Sequence, residues 1–141
     1  MISGCTGNRT GMTEEVRRFL QKPLIARLST VDKDGYPHTV PVWFDLDGDD
    51  VIFISVRDTL KIGHIQANPK GSVSIGGQNE DGGGYLIKGQ LSIEEDPGDV
   101  WMKRLIYRYE SGADAERDVA SWAELDIVLI RLRPSRIVKV A

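Results

Sequence analysis

The chain has little of what builds disulfides and metal centres: its 141 residues include one cysteine, Cys5, and two histidines, His38 and His64. A single cysteine excludes an intrachain disulfide and a cysteine-ligated zinc site, and it permits a reducing compartment. Neither histidine has a cysteine or carboxylate at metal-ligand spacing. Long apolar runs are lacking as well. The longest are a few residues, as in Val51-Ile52-Phe53-Ile54, against about 20 for a bilayer-spanning helix. Positive charge is not in excess, since 18 Lys+Arg against 21 Asp+Glu leave a net charge of −3. That balance argues against nucleic acid as the main partner, because phosphate backbones require a clustered positive field.

Several catalytic signatures are missing too. There is no Gly-x-Ser-x-Gly elbow and no Gly-x-x-x-x-Gly-Lys-Ser/Thr loop. The glycine-rich segment 76–84 does not spell a dinucleotide fingerprint, for want of the right spacing and a following helix. An enzyme built from these residues would rely on a bound cofactor for its reaction.

What is present is an ordinary globular composition, 40% apolar and 28% charged, enough for a core in one domain. We expect a cytoplasmic protein without a membrane span. Residues 1–12 read as a flexible leader and 13–141 as the folded domain. Ile2-Ser3-Gly4-Cys5 superficially matches a lipoprotein cleavage box, but no apolar segment precedes it. Asn8-Arg9-Thr10 is a chance sequon by the same reasoning. Charge is uneven: acid gathers at Asp45, Asp47, Asp49 and Asp50 and again at Glu94, Glu95, Asp96 and Asp99, whereas the C-terminal stretch carries Arg131, Arg133, Arg136 and Lys139.

Along the chain, Thr13 can cap a short helix with Val16, Phe19 and Leu20 on one side, ended by Pro23. Residues 25–31 and 37–46 read as a hairpin around Asp32-Lys33-Asp34-Gly35. Residues 51–56, apolar on both faces, read as an interior strand. A short helix over 59–68 ends at Asn68-Pro69. Strands follow at 72–75 and 85–93, and Asp96-Pro97 opens a helix running to Gly112. The stretch 111–120 reads as a polar loop, 121–124 as one helical turn, and 126–133 and 136–140 as two strands broken by Pro134. The expected class is mainly β with short helices, an antiparallel barrel.

Two places suggest ligand chemistry. In Ser55-Val56-Arg57-Asp58-Thr59-Leu60-Lys61 a buried strand ends and a helix begins. Alternation puts Ser55 and Arg57 on one face, the helix start offers free N–H groups, and Lys61 lies in its first turn. Those are the parts of a phosphate site, and equally of a capped helix with a surface Arg and Lys. In Thr39-Val40-Pro41-Val42-Trp43-Phe44, Pro41 lacks an N–H and so marks an edge or opening of the ladder. The neighbouring aromatic pair could flank a planar ring or simply pack the core.

Leu28-Ser29-Thr30, Asp34-Gly35-Tyr36-Pro37 and Pro41-Val42-Trp43-Phe44 together resemble the first hairpin of the pyridoxamine 5′-phosphate oxidase-like, flavin-binding split-barrel family. Ser55, the Lys61 helix, Ala67-Asn68-Pro69, the strand 72–75 and Tyr85-Leu86-Ile87-Lys88-Gly89 follow in the family's order. The similarity spans about residues 14–140. It implies a homodimeric, six-stranded antiparallel split β-barrel binding FMN, or alternatively the deazaflavin F420, at the subunit interface. By position Val40, Pro41 and Val42 would line the ring, Ile54 and Ser55 would support the ribityl-phosphate, and Arg57, Thr59 and Lys61 would bind the phosphate. Tyr85 or Trp122 of a partner subunit would close the pocket. Where relatives carry a basic residue and then Asn after the lysine, this chain has Gly63-His64. It also lacks a match to vitamin-substrate residues, so the resemblance does not imply vitamin B6 oxidation. The function implied is hydride transfer between the cofactor ring and a small molecule. The alternative is a non-catalytic carrier or sensor of flavin or tetrapyrrole on the same fold.

Overall fold

Thr13 begins the folded chain as expected: its hydroxyl accepts the Val16 N–H at 3.2 Å and starts α1 (Glu14–Phe19). The structure, a computed structural model, describes residues 11–141. Cys5 and most of the expected leader therefore lie outside the described residues. Met12, the last residue of the expected leader, is 4% exposed and packs in the core with Val16, Phe19 and Leu20.

Strands β1 (Ala26–Val31) and β2 (Pro37–Val42) form the expected antiparallel hairpin. Its turn is held by the Asp32 carboxylate, which accepts the N–H groups of Asp34 and Tyr36 at 2.9 Å each. Gly35 supplies the positive φ of 89°. The second half of the hairpin does not continue to residue 46. β2 stops at Val42, and β3 (Asp45–Asp47) pairs instead with β4 (Asp50–Val56). The cause is packing, because the side chain of Phe44 is fully buried and draws the chain off the hairpin and across the barrel. Then come α2 (Leu60–Ala67), β5 (Lys70–Gly76), β6 (Gly84–Glu94), α3 (Val100–Tyr109), α4 (Gly112–Trp122) and β7 (Ile127–Lys139).

Asp96 acts as the expected capping acid, its carboxylate accepting the N–H groups of Trp101 and Met102 at 3.0 and 2.9 Å. Two expectations about the C-terminal third are corrected. The supposed polar loop 111–120 is helix α4. Ala115, Val119 and Trp122 recur at helical spacing and pack on Met102 and Ile106 of α3, so a narrow apolar stripe outweighs a polar composition. The supposed break at Pro134 is absent, and β7 is continuous. A register irregularity at Lys88/Gly89 sets Pro134 opposite Gly89, so the proline sits in a bulge that does not need its N–H.

Among the described residues seven strands form one antiparallel sheet in the order β2-β1-β5-β6-β7-β4-β3, one more than the six that the resemblance implies. The order dictates the shape. β2 and β3 are the two outer edges, yet only Trp43 and Phe44 separate them in the chain. Edges joined by so short a link lie within about 11 Å of each other, three Cα–Cα steps. The sheet must therefore curl until its edges almost meet, leaving a seam without ladder hydrogen bonds: a split barrel. Its interior holds Leu28, Phe44, Phe53, Val73, Ile75, Ile87 and Ile130, all fully buried. A second apolar cluster, built on Met102, Ile106 and Ala115, packs α3 and α4 against the seam side of the barrel with Trp43, Ile54 and Ile127.

Candidate functional site at the barrel seam

Because β2 is an edge strand, the peptide groups on its outer side have no strand partner among the described residues. Across the seam from its end lies the end of β4. Pro41, Val42 and Trp43 on one side, Ile54, Ser55 and Val56 on the other, and Trp122 at the end of α4 with Leu125 and Ile127 after it line a cavity of about 310 Å³. Ser55 is the one residue of that lining with a hydroxyl, and none carries a charge.

Four residues expected from the sequence thus meet in one cavity: Pro41, Val42, Ile54 and Ser55. Val40 lies next to it on β2, opposite Leu28, but does not line it. Thr59 joins the site through Ser55, with the two hydroxyl oxygens 3.1 Å apart. Thr59 precedes α2 in an extended conformation, and its side chain makes no capping bond. The first-turn N–H groups of α2 are therefore left without a side-chain acceptor, the arrangement that suits an anion.

The two cations of the expected phosphate site differ. Lys61 is half-buried, and among the described residues its ammonium has no ion pair or hydrogen bond. Burial lowers its pKa from the ordinary lysine value, since desolvation disfavours the charged form. Arg57, by contrast, is already held. It donates to Glu95 at 2.7 Å and to Asp126 at 2.9 and 3.3 Å, and those hydrogen bonds push its pKa up further. Strand alternation had placed Arg57 on the same face as Ser55. However, β4 ends at Val56, so Ser55 is buried while Arg57 turns outward to the carboxylates.

Tyr85, expected at the pocket from a partner, is 5% exposed and stands edge-on to Phe19 at 5.3 Å, inside the core of its own chain. Trp122 reaches the cavity within the same chain. The Gly63-His64 departure keeps its packing role, because His64 Nδ1 lies 2.9 Å from Thr30 Oγ1 and so ties α2 to β1. His38 meets His64 edge-on at 4.9 Å. Among the described residues no group of three or more metal-ligating side chains exists.

Leu125 and Ile127, which the sequence reading missed, frame Asp126 and had no signal apart from their nearness to Trp122. Tyr109 was missed as well. Its hydroxyl donates to the Leu24 carbonyl at 2.7 Å and accepts the Phe44 N–H at 3.1 Å, so it fixes the link that crosses the seam.

The fold recurs among known proteins. A family model described as pyridoxamine 5′-phosphate oxidase matches residues 12–140. A solved structure described as an F420 reductase is 27% identical, covers 86% of this chain and 94% of its own, and superposes with a TM-score of 0.69. General stress protein 26 from Bacillus anthracis is 24% identical over 90% of this chain and 92% of its own, with a TM-score of 0.66. The conserved protein Rv2991 from Mycobacterium tuberculosis shares the fold at 18% identity, covering 93% and 86% of the two chains with a TM-score of 0.73. No curated protein matches the sequence.

Proposed function

Since the chain belongs to the pyridoxamine 5′-phosphate oxidase family, we propose that it is a flavin-type oxidoreductase, with FMN or the deazaflavin F420 held in the seam. The single observation that carries this reading is Lys61. A half-buried cation without a counter-charge, in the first turn of a helix whose start has no side-chain cap, suits a phosphate dianion. The residues present also fit a flat ring, because the cavity between β2 and β4 is mostly apolar, uncharged and edged by peptide groups without a strand partner among the described residues.

When bound, the cofactor supplies hydride chemistry at its ring, and this chain's residues bind, orient and shield it. Pro41, Val42 and Ile54 give the ring an apolar wall, and the free edge of β2 offers hydrogen bonds to its polar rim. The Ser55 and Thr59 hydroxyls, which donate to the Val56 carbonyl at 2.9 and 3.1 Å, would stand beside the phosphate arm, and Lys61 would offset part of its charge. Arg57 adds charge only by sharing its guanidinium with Glu95 and Asp126. These carboxylates, with Glu124 nearby in sequence, make the rim acidic and favour FMN over F420, whose tail is itself acidic. A second copy of the chain would shield the open side of the seam.

The deciding experiment is titration of the purified protein with FMN and with F420, followed by visible absorption, together with light scattering for the dimer. We expect saturable binding of FMN by a dimer, and reoxidation of the bound reduced cofactor by small acceptors faster than that of free cofactor. Binding of neither cofactor by folded protein would overturn the reading.

A further inference from the structure

A second cavity lies on the outer face of the sheet. Ala26 and Leu28 are fully buried, so alternation turns Arg27 between them to the outside, and Ser74 is turned outward in the same way between the buried Val73 and Ile75. The register sets Arg27 directly opposite Ser74 on β5 and, on its other side, opposite Pro41 on β2. With Leu24, Ile25 and the glycine-rich turn after β5, which contributes Gln78 and Asp81, Arg27 and Ser74 line a cavity of about 330 Å³. It shares no lining residue with the seam cavity.

The turn is braced before any ligand arrives. Gly76 packs so closely on Phe19 that a Cβ there would lie 2.6 Å from the ring. The Gly77 N–H donates to the Gly83 carbonyl at 2.8 Å, the Gln78 N–H to the Asp81 carboxylate at 3.1 Å, and the Lys22 ammonium to the Asp81 carbonyl at 2.6 Å. Lys22 also lies over the Phe19 ring and does not line the cavity. Charge then decides what fits. Six arginines of the described chain pair with carboxylates. Among the described residues Arg27 makes no ion pair or hydrogen bond through its side chain, not even with Asp81, although both line this cavity. An unengaged guanidinium and a carboxylate therefore face one space without neutralising each other. A simple carboxylate drawn to Arg27 also meets Asp81, and a simple amine drawn to Asp81 also meets Arg27. A molecule carrying both charges finds a partner for each.

We propose that this cavity is a binding site for a small zwitterion of the α-amino acid type, with its carboxylate on Arg27, its ammonium on Asp81 and its apolar side chain against Leu24 and Ile25. The planar guanidinium suits a carboxylate bidentately, and the Ser74 hydroxyl opposite it supplies a further donor. Asp81 accepts the Gln78 N–H through one carboxylate oxygen, which leaves the other for the ammonium. Ile25 is 44% exposed and offers apolar surface at the mouth. The site stands apart from the cofactor reading, because none of these residues lines the seam.

The test is calorimetric titration of the full chain with L-leucine, L-leucinamide and 4-methylpentanoate, which share one side chain and carry both charges, the positive alone and the negative alone. Wild type is expected to bind L-leucine at least about fivefold more tightly than either of the others, as exposed charge pairs allow. Arg27→Gln should weaken L-leucine by a similar factor and leave L-leucinamide unchanged or tighter. Asp81→Asn, which keeps an oxygen for the Gln78 N–H, should weaken L-leucine and tighten 4-methylpentanoate. A damaged fold would weaken every probe, so that gain separates lost charge from lost structure. Tighter binding of 4-methylpentanoate than of L-leucine by wild type would overturn the proposal in favour of a plain anion site. Equal affinities for the three probes, no saturable binding of L-leucine at millimolar concentration, or L-leucine binding untouched by Arg27→Gln would overturn it as well.

Discussion

The indole of Trp43 lies flat on the phenol of Tyr109, with ring centroids 4.8 Å apart and planes within 4° of parallel. One α3 side chain therefore supports the aromatic wall of the cavity and, through its hydroxyl, the backbone on both sides of the seam at Leu24 and Phe44. Tyr109→Phe keeps the stack and leaves the Phe44 N–H without that acceptor. Denaturant unfolding should show a loss of about 1–3 kcal/mol.

Burial raises the pKa of the Tyr109 phenol above its ordinary value of 10.0. The folded state therefore holds this proton more tightly than the unfolded chain. Its contribution is complete below the unfolded pKa and is lost as pH rises through the folded one. The melting temperature of wild type should fall above pH 10 more steeply than that of Tyr109→Phe. Parallel curves would show that another group governs alkaline unfolding.

Lys61 should separate binding from stability. Its lowered pKa means that the folded protein carries a poorly solvated charge at neutral pH, and relief comes only as pH rises towards the unfolded pKa. Lys61→Met should leave the melting temperature of the free protein unchanged or raised. It should also weaken FMN by roughly 10- to 150-fold, the equivalent of about 1.5–3 kcal/mol for a charge-assisted contact. A variant that melts lower and binds FMN normally would move the phosphate elsewhere.

Arg131 gathers the acidic residues of three strands, donating to Asp47 and Asp50 at 3.0 and 2.9 Å and to Glu94 at 2.8 Å. Its side chain is only 15% exposed, whereas those of Asp47 and Glu94 are 47% and 40% exposed, so its removal leaves three carboxylates whose repulsion water partly screens. Arg131→Ala should cost about 1–2 kcal/mol by urea titration, below what breaking a fully buried ion pair costs. Added salt should recover part of this in the variant.

Two glycines should respond with opposite signs. A Cβ on Gly89 would sit 2.1 Å from the Arg133 carbonyl oxygen, where the β6–β7 bulge brings the backbones together. Gly89→Ala should therefore lose at least about 2 kcal/mol. Nothing lies within 4 Å of a Cβ on Gly63 in α2. Gly63→Ala should gain about 0.5–1 kcal/mol. Paired thermal melts decide both.

The elements legible in the sequence were those marked by local chemistry. Thr13, Asp32 with Gly35, Asn68-Pro69 and Asp96-Pro97 act over a few residues, and each sets a boundary close to where the structure has it. What was missed depends on contacts made far along the chain. Pro134 reads as a break until Gly89, 45 positions earlier, is seen opposite it in a bulge. The segment 111–120 reads as a loop until α3 supplies the apolar surface that Ala115 and Val119 cover. The site divides in the same way. Pro41, Val42, Ile54 and Ser55 lie on strands whose order the family pattern carries, so they could be named. The engagement of Arg57 by Glu95 and Asp126 arises from where β4 stops and β7 begins, which no short motif encodes.

The seam has an evolutionary consequence. Beside the cavity, the rungs of β2 and of the 54–56 end of β4 run into β1 and β7 respectively, away from it. Side chains facing the cavity can therefore be exchanged without removing a rung, so ligand choice can drift while the scaffold keeps its strength. A barrel closed all the way round would have no such freedom. Here the one interrupted line of the cylinder leaves room for new chemistry, and relatives that share the fold at 18 to 27% identity are what such uncoupling would produce.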